Sequence, residues 1–145
     1  MSKLLKVGSA KNNDLQIDYT FTFRCNYDCS YCTSHDVNHP LLNRTYKEIS
    51  DSLNYLTSFY PNKNIGITFL GGEPFLYKDL VKVIINLDRG YSIVLTNLSI
   101  SKTYIKKNFL PEYKDKFRIK ASWHPEFSNP DEFIEKILLI KDIGY

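Results

Sequence analysis

The sequence predicts an α/β fold, a partial, open (β/α) barrel of parallel strands with about four strand–helix units. Strand-like and helix-like stretches alternate four times along the chain, the pattern of a parallel sheet with crossover helices. Every chemically unusual run (CNYDCSYC, GGEP, TN and SWHP) falls directly after a strand. Parallel α/β sheets and barrels gather their sites at those carboxyl ends, so the four runs are expected to meet at one mouth.

From Leu15 to Phe23 the stretch LQIDYTFTF alternates strictly, with Leu15, Ile17, Tyr19, Phe21 and Phe23 on one face and Gln16, Asp18, Thr20 and Thr22 on the other. A period of two over this length is a strand, and its polar face suits the interior of an open barrel that holds a polar ligand. Thr45 and Glu48 form a capping-box signature for a helix with Ile49, Leu53, Leu56 and Tyr60 at helical spacing, stopped by Pro61. IGITFL at 65–70 is a buried strand running straight into Gly71-Gly72-Glu73-Pro74. Leu80, Val81, Ile84, Ile85 and Leu87 mark a second helix ending at Gly90, and the strand at 92–96 ends in Asn97. A less regular helix covers 102–108 before Pro111, and the strand at 117–122 ends in Trp123-His124-Pro125. The last helix has Asn129 as N-cap, Pro130 at its first position, and Asp131 and Glu132 in its first turn. Phe133, Ile134, Ile137, Leu138 and Ile140 give its apolar side, and Gly144 closes it.

Residues 1–14 read as a leader and 15–145 as one core domain; 145 residues is the size of a single domain, and 43% hydrophobic residues fill its core. The 19 basic and 16 acidic residues are spread along the chain, so a net charge of +3 gives no case for nucleic acid or an anionic membrane as an obligatory partner. The N-terminus lacks the apolar region of a signal peptide, and no stretch approaches the ~20 apolar residues of a membrane span. A cytoplasmic protein with no membrane partner is expected. In that reducing compartment, clustered cysteines are metal ligands or redox groups more often than disulfides.

Cys25, Cys29 and Cys32 are the chain's only cysteines, spaced C-x3-C-x2-C in CNYDCSYC. Three thiolates in so short a loop wrap one small inorganic centre. A closed zinc site needs a fourth ligand, which His35 would supply as a Cys3His set. A [4Fe–4S] cluster held wholly by protein also takes four ligands; held by three, it keeps one iron free for a small molecule. The cysteines alone admit both centres.

With an aromatic residue, Tyr31, directly before the last cysteine, the run resembles the signature of the radical S-adenosylmethionine (SAM) enzymes. The resemblance extends to GGEP at Gly71 to Pro74, to the polar pair Thr96 and Asn97, and to the Ser-x-His of Ser122 and His124. It covers the chain from Asp18 to the last helix. It implies a [4Fe–4S] cluster on Cys25, Cys29 and Cys32 whose open iron binds the amino and carboxylate groups of SAM. It implies that Glu73, with the backbone beside Gly71 and Gly72, holds the methionine ammonium. Tyr31 would lie near the adenine, and Thr96, Asn97 and Ser122 would serve the ribose hydroxyls and the carboxylate. It implies an electron donor, reductive cleavage of SAM to methionine and a 5′-deoxyadenosyl radical, and hydrogen abstraction from a substrate the sequence does not identify. A carboxylate is a charge-assisted acceptor for an ammonium, and glycines allow close backbone approach, so the implied roles are physically sound.

Each of these residues also has a plainer reading. GGEP alone is a turn, Thr96 and Asn97 cap one, and Tyr31 packs as one of 11 tyrosines. His124-Pro125 shapes its loop with no catalytic part, and Lys120 is a solvated lysine. The family's core has six strand–helix units, whereas four are present and the sequence ends at IGY, where a fifth strand would begin. The expectation is a truncated core with an exposed fourth-strand edge, completed by another chain or a second copy. The competing expectation is a non-catalytic iron–sulfur or zinc-binding remnant that serves as an interaction module.

Overall fold

The computed structural model describes residues 14–33, 36 and 38–145. Strands β1 (Asp14–Thr22), β2 (Asn64–Gly71), β3 (Tyr91–Thr96) and β4 (Phe117–Ala121) run parallel in the order β1-β2-β3-β4. Helices α1 (Tyr46–Ser58), α2 (Leu80–Ile85) and α3 (Lys102–Asn108) connect them, and α4 (Pro130–Ile143) follows β4. Because spatial order follows sequence order, every crossover steps in the same direction, and crossovers of one hand then stack the helices on one face. This is the progression of a (β/α) barrel; a doubly wound sheet reverses its strand order at a switch point. Among the described residues β1 and β4 each keep a free edge, so the barrel is partial and open, as the sequence predicts.

Strand register sorts the core. Ile17, Ile67, Ser92 and Phe117 form one row across the sheet, and Tyr19, Phe69, Val94 and Ile119 the next. This face joins Ile49 and Leu53 of α1, Leu80, Val83 and Ile84 of α2, and Ile105 of α3 in one buried core. The opposite face exposes Asp18, Thr20, Arg118 and Lys120.

Three local departures from the predicted pattern have physical causes. β1 ends at Thr22, because a register shift between Thr20 and Thr22 turns both Phe21 and Thr22 inward. That bulge breaks the period of two, and Phe23 is left 48% exposed instead of joining the apolar face. In α1 the capping box forms as predicted, with Thr45 N donating to Glu48 Oε2 at 2.7 Å and Glu48 N to Thr45 Oγ1 at 3.2 Å. Its buried side is Ile49, Ser50, Leu53 and Thr57, while Leu56 and Tyr60 face outward. Ser50 and Thr57 tolerate burial because each hydroxyl donates to a carbonyl one turn back, Lys47 O and Asn54 O. In α4, Asn129 Oδ1 accepts from the amides of Asp131 and Glu132, and Gly144 ends the helix at φ 107°, as expected. Ile134, Ile137 and Leu138, however, are exposed, since β4 is the edge and no described strand lies beyond it to receive them.

Candidate functional site

The four strand ends do meet. β1 delivers the cysteine loop, β2 delivers Gly71 and Gly72, β3 delivers Thr96 and Asn97, and β4 delivers Ser122 and His124. All of these, with Cys25, Cys29 and Cys32, line one cavity of about 250 Å³. Within the cysteine loop Cys32 N donates to Cys29 O, and Tyr27 N to Cys25 Sγ. Cys29 is buried, Cys25 half-buried and Cys32 exposed. Burial, together with the neighbouring charges of Glu73, Cys29 and Cys32, pushes the Cys25 thiol up, against the Tyr27 amide that favours its thiolate. Among the described residues no three His, Cys, Asp or Glu side chains converge on one point as ligands of a single ion. His35, the fourth ligand of the zinc alternative, lies outside the described residues.

The glycine pair meets the root of the cysteine loop edge to edge. Gly72 N donates to Thr22 O at 2.7 Å, and Glu73 N to Arg24 O at 2.9 Å. Gly71 sits at φ 138°, where L residues are strained, and a Cβ there would strike the Thr22 carbonyl. At Gly72 a Cβ would strike the carbonyl of Arg24. Either glycine changed to alanine is expected to cost about 2 kcal/mol or more, read as a lowered denaturation midpoint, because backbone must give way to backbone.

Glu73 is turned into the protein. It is 0% exposed, and its carboxylate is absent from the cavity wall. Oε1 accepts from Phe75 N at 3.0 Å and Thr96 Oγ1 at 2.8 Å, and Oε2 from Asn97 N at 2.7 Å. Three of the carboxylate's roughly four acceptor sites are thus filled from within the protein, and the glycine backbone is what lines the cavity. Burial raises its pKa, opposed by those same three hydrogen bonds.

Thr96 and Asn97 are correspondingly committed. The Thr96 hydroxyl donates to Glu73 and accepts from Leu98 N at 2.9 Å. Leu98, fully buried, adopts the left-handed region at φ 57°, a conformation that costs a non-glycine residue about 1 kcal/mol or more. It is held by that hydroxyl on its amide and by Lys136 Nζ on its carbonyl, at 3.2 Å. The Asn97 side chain donates to Asn26 Oδ1 at 3.1 Å and to Cys25 Sγ at 3.7 Å. Ser122 is exposed on the cavity, with its amide on Thr96 O.

Tyr31 lies off the cavity wall, 54% exposed, with its ring stacked on His124 and its hydroxyl 2.9 Å from His124 Nδ1. Desolvation first, then its hydrogen bond to Cys29, push this phenol up to about 12. The loop after β4 supplies contacts the sequence reading missed. Glu126 accepts from both the amide and the hydroxyl of Ser30, between the second and third cysteines. Phe127 stacks on Tyr27 at 5.2 Å between ring centroids. No spacing rule marks Glu126 or Phe127; only their place just beyond SWHP, at a strand end, singles them out.

Known proteins share this fold. In the solved structure of Streptococcus suis SuiB bound to precursor peptide SuiA, the likeness covers 90% of this chain and 31% of that one, with a TM-score of 0.67 and 18% identity. Native anSMEcpe with bound AdoMet is similar over 88% of this chain and 40% of its own, with a TM-score of 0.62 and 18% identity. At those identities the likeness shows the fold. The S-adenosylmethionine-dependent nucleotide dehydratase of Selenomonas ruminantium is 33% identical over 88 residues, which are 59% of this chain and 30% of that protein. The chain thus spans 30% of the curated relative, and 31% and 40% of the two solved chains. The family model described as the radical SAM superfamily matches residues 19–120, a span that holds the three cysteines, the glycine turn and the Thr96-Asn97 pair. The chain belongs to the radical SAM superfamily.

Proposed function

We propose that the chain holds a [4Fe–4S] cluster on Cys25, Cys29 and Cys32 and binds SAM in the adjoining cavity. There it takes part in the reductive cleavage that starts hydrogen abstraction from a substrate. The observation that carries this reading is the convergence of four strand-end loops on one cavity with all three cysteines on its wall. The donor set fits the cluster: three soft sulfurs, with no carboxylate among the residues of that wall.

Bound together there, the cluster and SAM supply an electron, an open iron and the sulfonium carbon–sulfur bond whose cleavage begins the radical chemistry. The chain's own residues bind and orient. Gly71 and Gly72 bring bare backbone to the wall, so that carbonyls can meet an ammonium. Ser122 offers its hydroxyl to ribose hydroxyls or a carboxylate, while the Asn97 amide, shared among Asn26, Cys25 and Ser99, shapes the wall beside it. Glu73 from behind the wall and Thr96 on it fix the turn that carries Asn97. The exposed face of the Tyr31 ring is open to an adenine. An electron donor is required for the reductive step.

The nucleotide dehydratase and peptide-bound SuiB differ in what their names say they meet, so the likeness to them names no substrate for this chain. The free β4 edge, with the groove of about 310 Å³ lined by Arg118, Ile119, Ile137, Ile140, Lys141 and Tyr145, fits a further strand.

Anaerobic reconstitution should give about four irons and four sulfides per chain. SAM should alter the electron paramagnetic resonance spectrum of the reduced cluster, and dithionite should release 5′-deoxyadenosine. Iron without deoxyadenosine would assign the chain to a non-catalytic iron–sulfur module. Zinc in place of iron would sink the reading.

A further inference from the structure

We propose that His124 tunes the cluster site: its Nδ1–H donates a hydrogen bond to the Cys29 sulfur and thereby raises the reduction potential of the centre that sulfur ligates. The proposal rests on the reading of Cys29 as a cluster ligand.

The geometry is specific. His124 Nδ1 stands 3.4 Å from Cys29 Sγ, an N–H···S distance, and His124 lines the same cavity as the three cysteines. Its ring is not free to wander. It stacks on Tyr31 at 6.0 Å and 10° and meets the edge of Tyr27 at 5.8 Å and 67°. The His124 carbonyl accepts from Phe127 N and Ser128 N, closing the loop on itself. Glu126, two residues on, ties the same loop to Ser30, next to Cys29. The β4 loop is therefore clamped across the cysteine loop, with the imidazole at the contact.

The chemistry follows from what each group can accept. A thiolate ligand is an acceptor only, and Cys29 is 4% exposed, so its sulfur relies chiefly on protein donors. Beside a thiol, the single lone pair of an unprotonated Nδ1 accepts from the Tyr31 hydroxyl at 2.9 Å or from Cys29 at 3.4 Å, one at a time. Beside a thiolate, the tautomer with the proton on Nδ1 satisfies the sulfur, and the choice between the two is set by that neighbour. A donor at a ligating sulfur offsets the extra negative charge of the reduced cluster, and hydrogen bonds to sulfur are among the terms that set such potentials. Cys25 has its own donors in Tyr27 N and Asn97 Nδ2. His124 gives Cys29 the equivalent from the opposite side of the cavity.

The test is a redox titration of the reconstituted full chain without SAM, monitored by electron paramagnetic resonance, for wild type, His124→Leu and His124→Gln. At the wild-type midpoint the reduced-to-oxidised ratio should fall about tenfold in the leucine variant, a shift of ~59 mV downward for one electron, while glutamine, which keeps an N–H, should stay within about twofold. A wild-type midpoint in the leucine variant overturns the proposal. Should leucine prevent cluster loading, wild type labelled with 15N-histidine carries the test. A weak 15N coupling to the reduced cluster, lost in His124→Gln, supports the hydrogen bond. No coupling, or the strong coupling of nitrogen bonded to iron, overturns it. Wild type that takes up no iron fails the cluster reading and the proposal with it; a normal cluster with an unmoved potential fails the proposal alone.

Discussion

Glu73→Ala should lower the unfolding free energy by about 4 kcal/mol, and Glu73→Gln by about 2 kcal/mol, measured by chemical denaturation of the iron-free protein. Alanine strands three donors at once: Phe75 N, Thr96 Oγ1 and Asn97 N. Each buried donor without an acceptor costs about 1–3 kcal/mol, and the fully buried site admits no compensating solvent. Glutamine keeps one carbonyl but sets an NH2 against a donor, which is why it falls between. The loss reaches the cavity, because Asn97 and the strained Leu98 are fixed through the same carboxylate and hydroxyl.

The same pair should show a pH signature. Burial raises the folded-state pKa of Glu73 above its ordinary value of 4.5, so the native chain holds the proton more tightly than the unfolded one. The stability linked to that proton is present in full below the unfolded value and is lost as pH rises through the raised folded value. The stability gap between wild type and Glu73→Gln is expected to narrow from acid to neutral pH. A gap that widens would show that the three hydrogen bonds outweigh desolvation and that the folded pKa is depressed.

Cys29→Ala has the largest expected effect on function. Reconstituted iron should drop from about four per chain to below about one, and 5′-deoxyadenosine release should disappear. The fold should persist, since losing one sulfur atom from a small buried side chain removes little volume and leaves the Cys29 carbonyl free to accept from Cys32 N. Retained iron and cleavage in this variant would exclude Cys29 from the ligand set. Circular dichroism on the same samples separates a lost centre from a lost fold.

What could be read in the sequence was what local chemistry dictates. The alternation of β1, the capping box at Thr45 and Glu48, and the Asn129-to-Gly144 brackets of α4 each depend on a few neighbouring residues. The placement of special residues after each strand fixed the side of the sheet where the site lies, since parallel strands end on one rim. What could not be read depended on long-range packing. Whether Glu73 faces a ligand or the protein is decided by Thr96 and Asn97, at the end of the next strand. Glycine-glycine-glutamate describes a carboxylate beside a cavity equally well from either side of the wall. The inward turn of Thr22, the outward turn of Phe23 and the clamp of Glu126 on Ser30 likewise need the register of the folded sheet.

Lys136 gives the last helix a second meaning. Its ammonium, almost wholly buried, pairs with Glu132 at 2.8 Å and reaches down from α4 to the carbonyl of Leu98. The outer face of that helix carries Ile134, Ile137 and Leu138, bare beside the open edge of β4. A strand that docks at that edge therefore leans on a helix already tethered to the residue after Asn97. One buried ammonium thus joins the helix beside the sheet's open edge to the left-handed residue that follows Asn97.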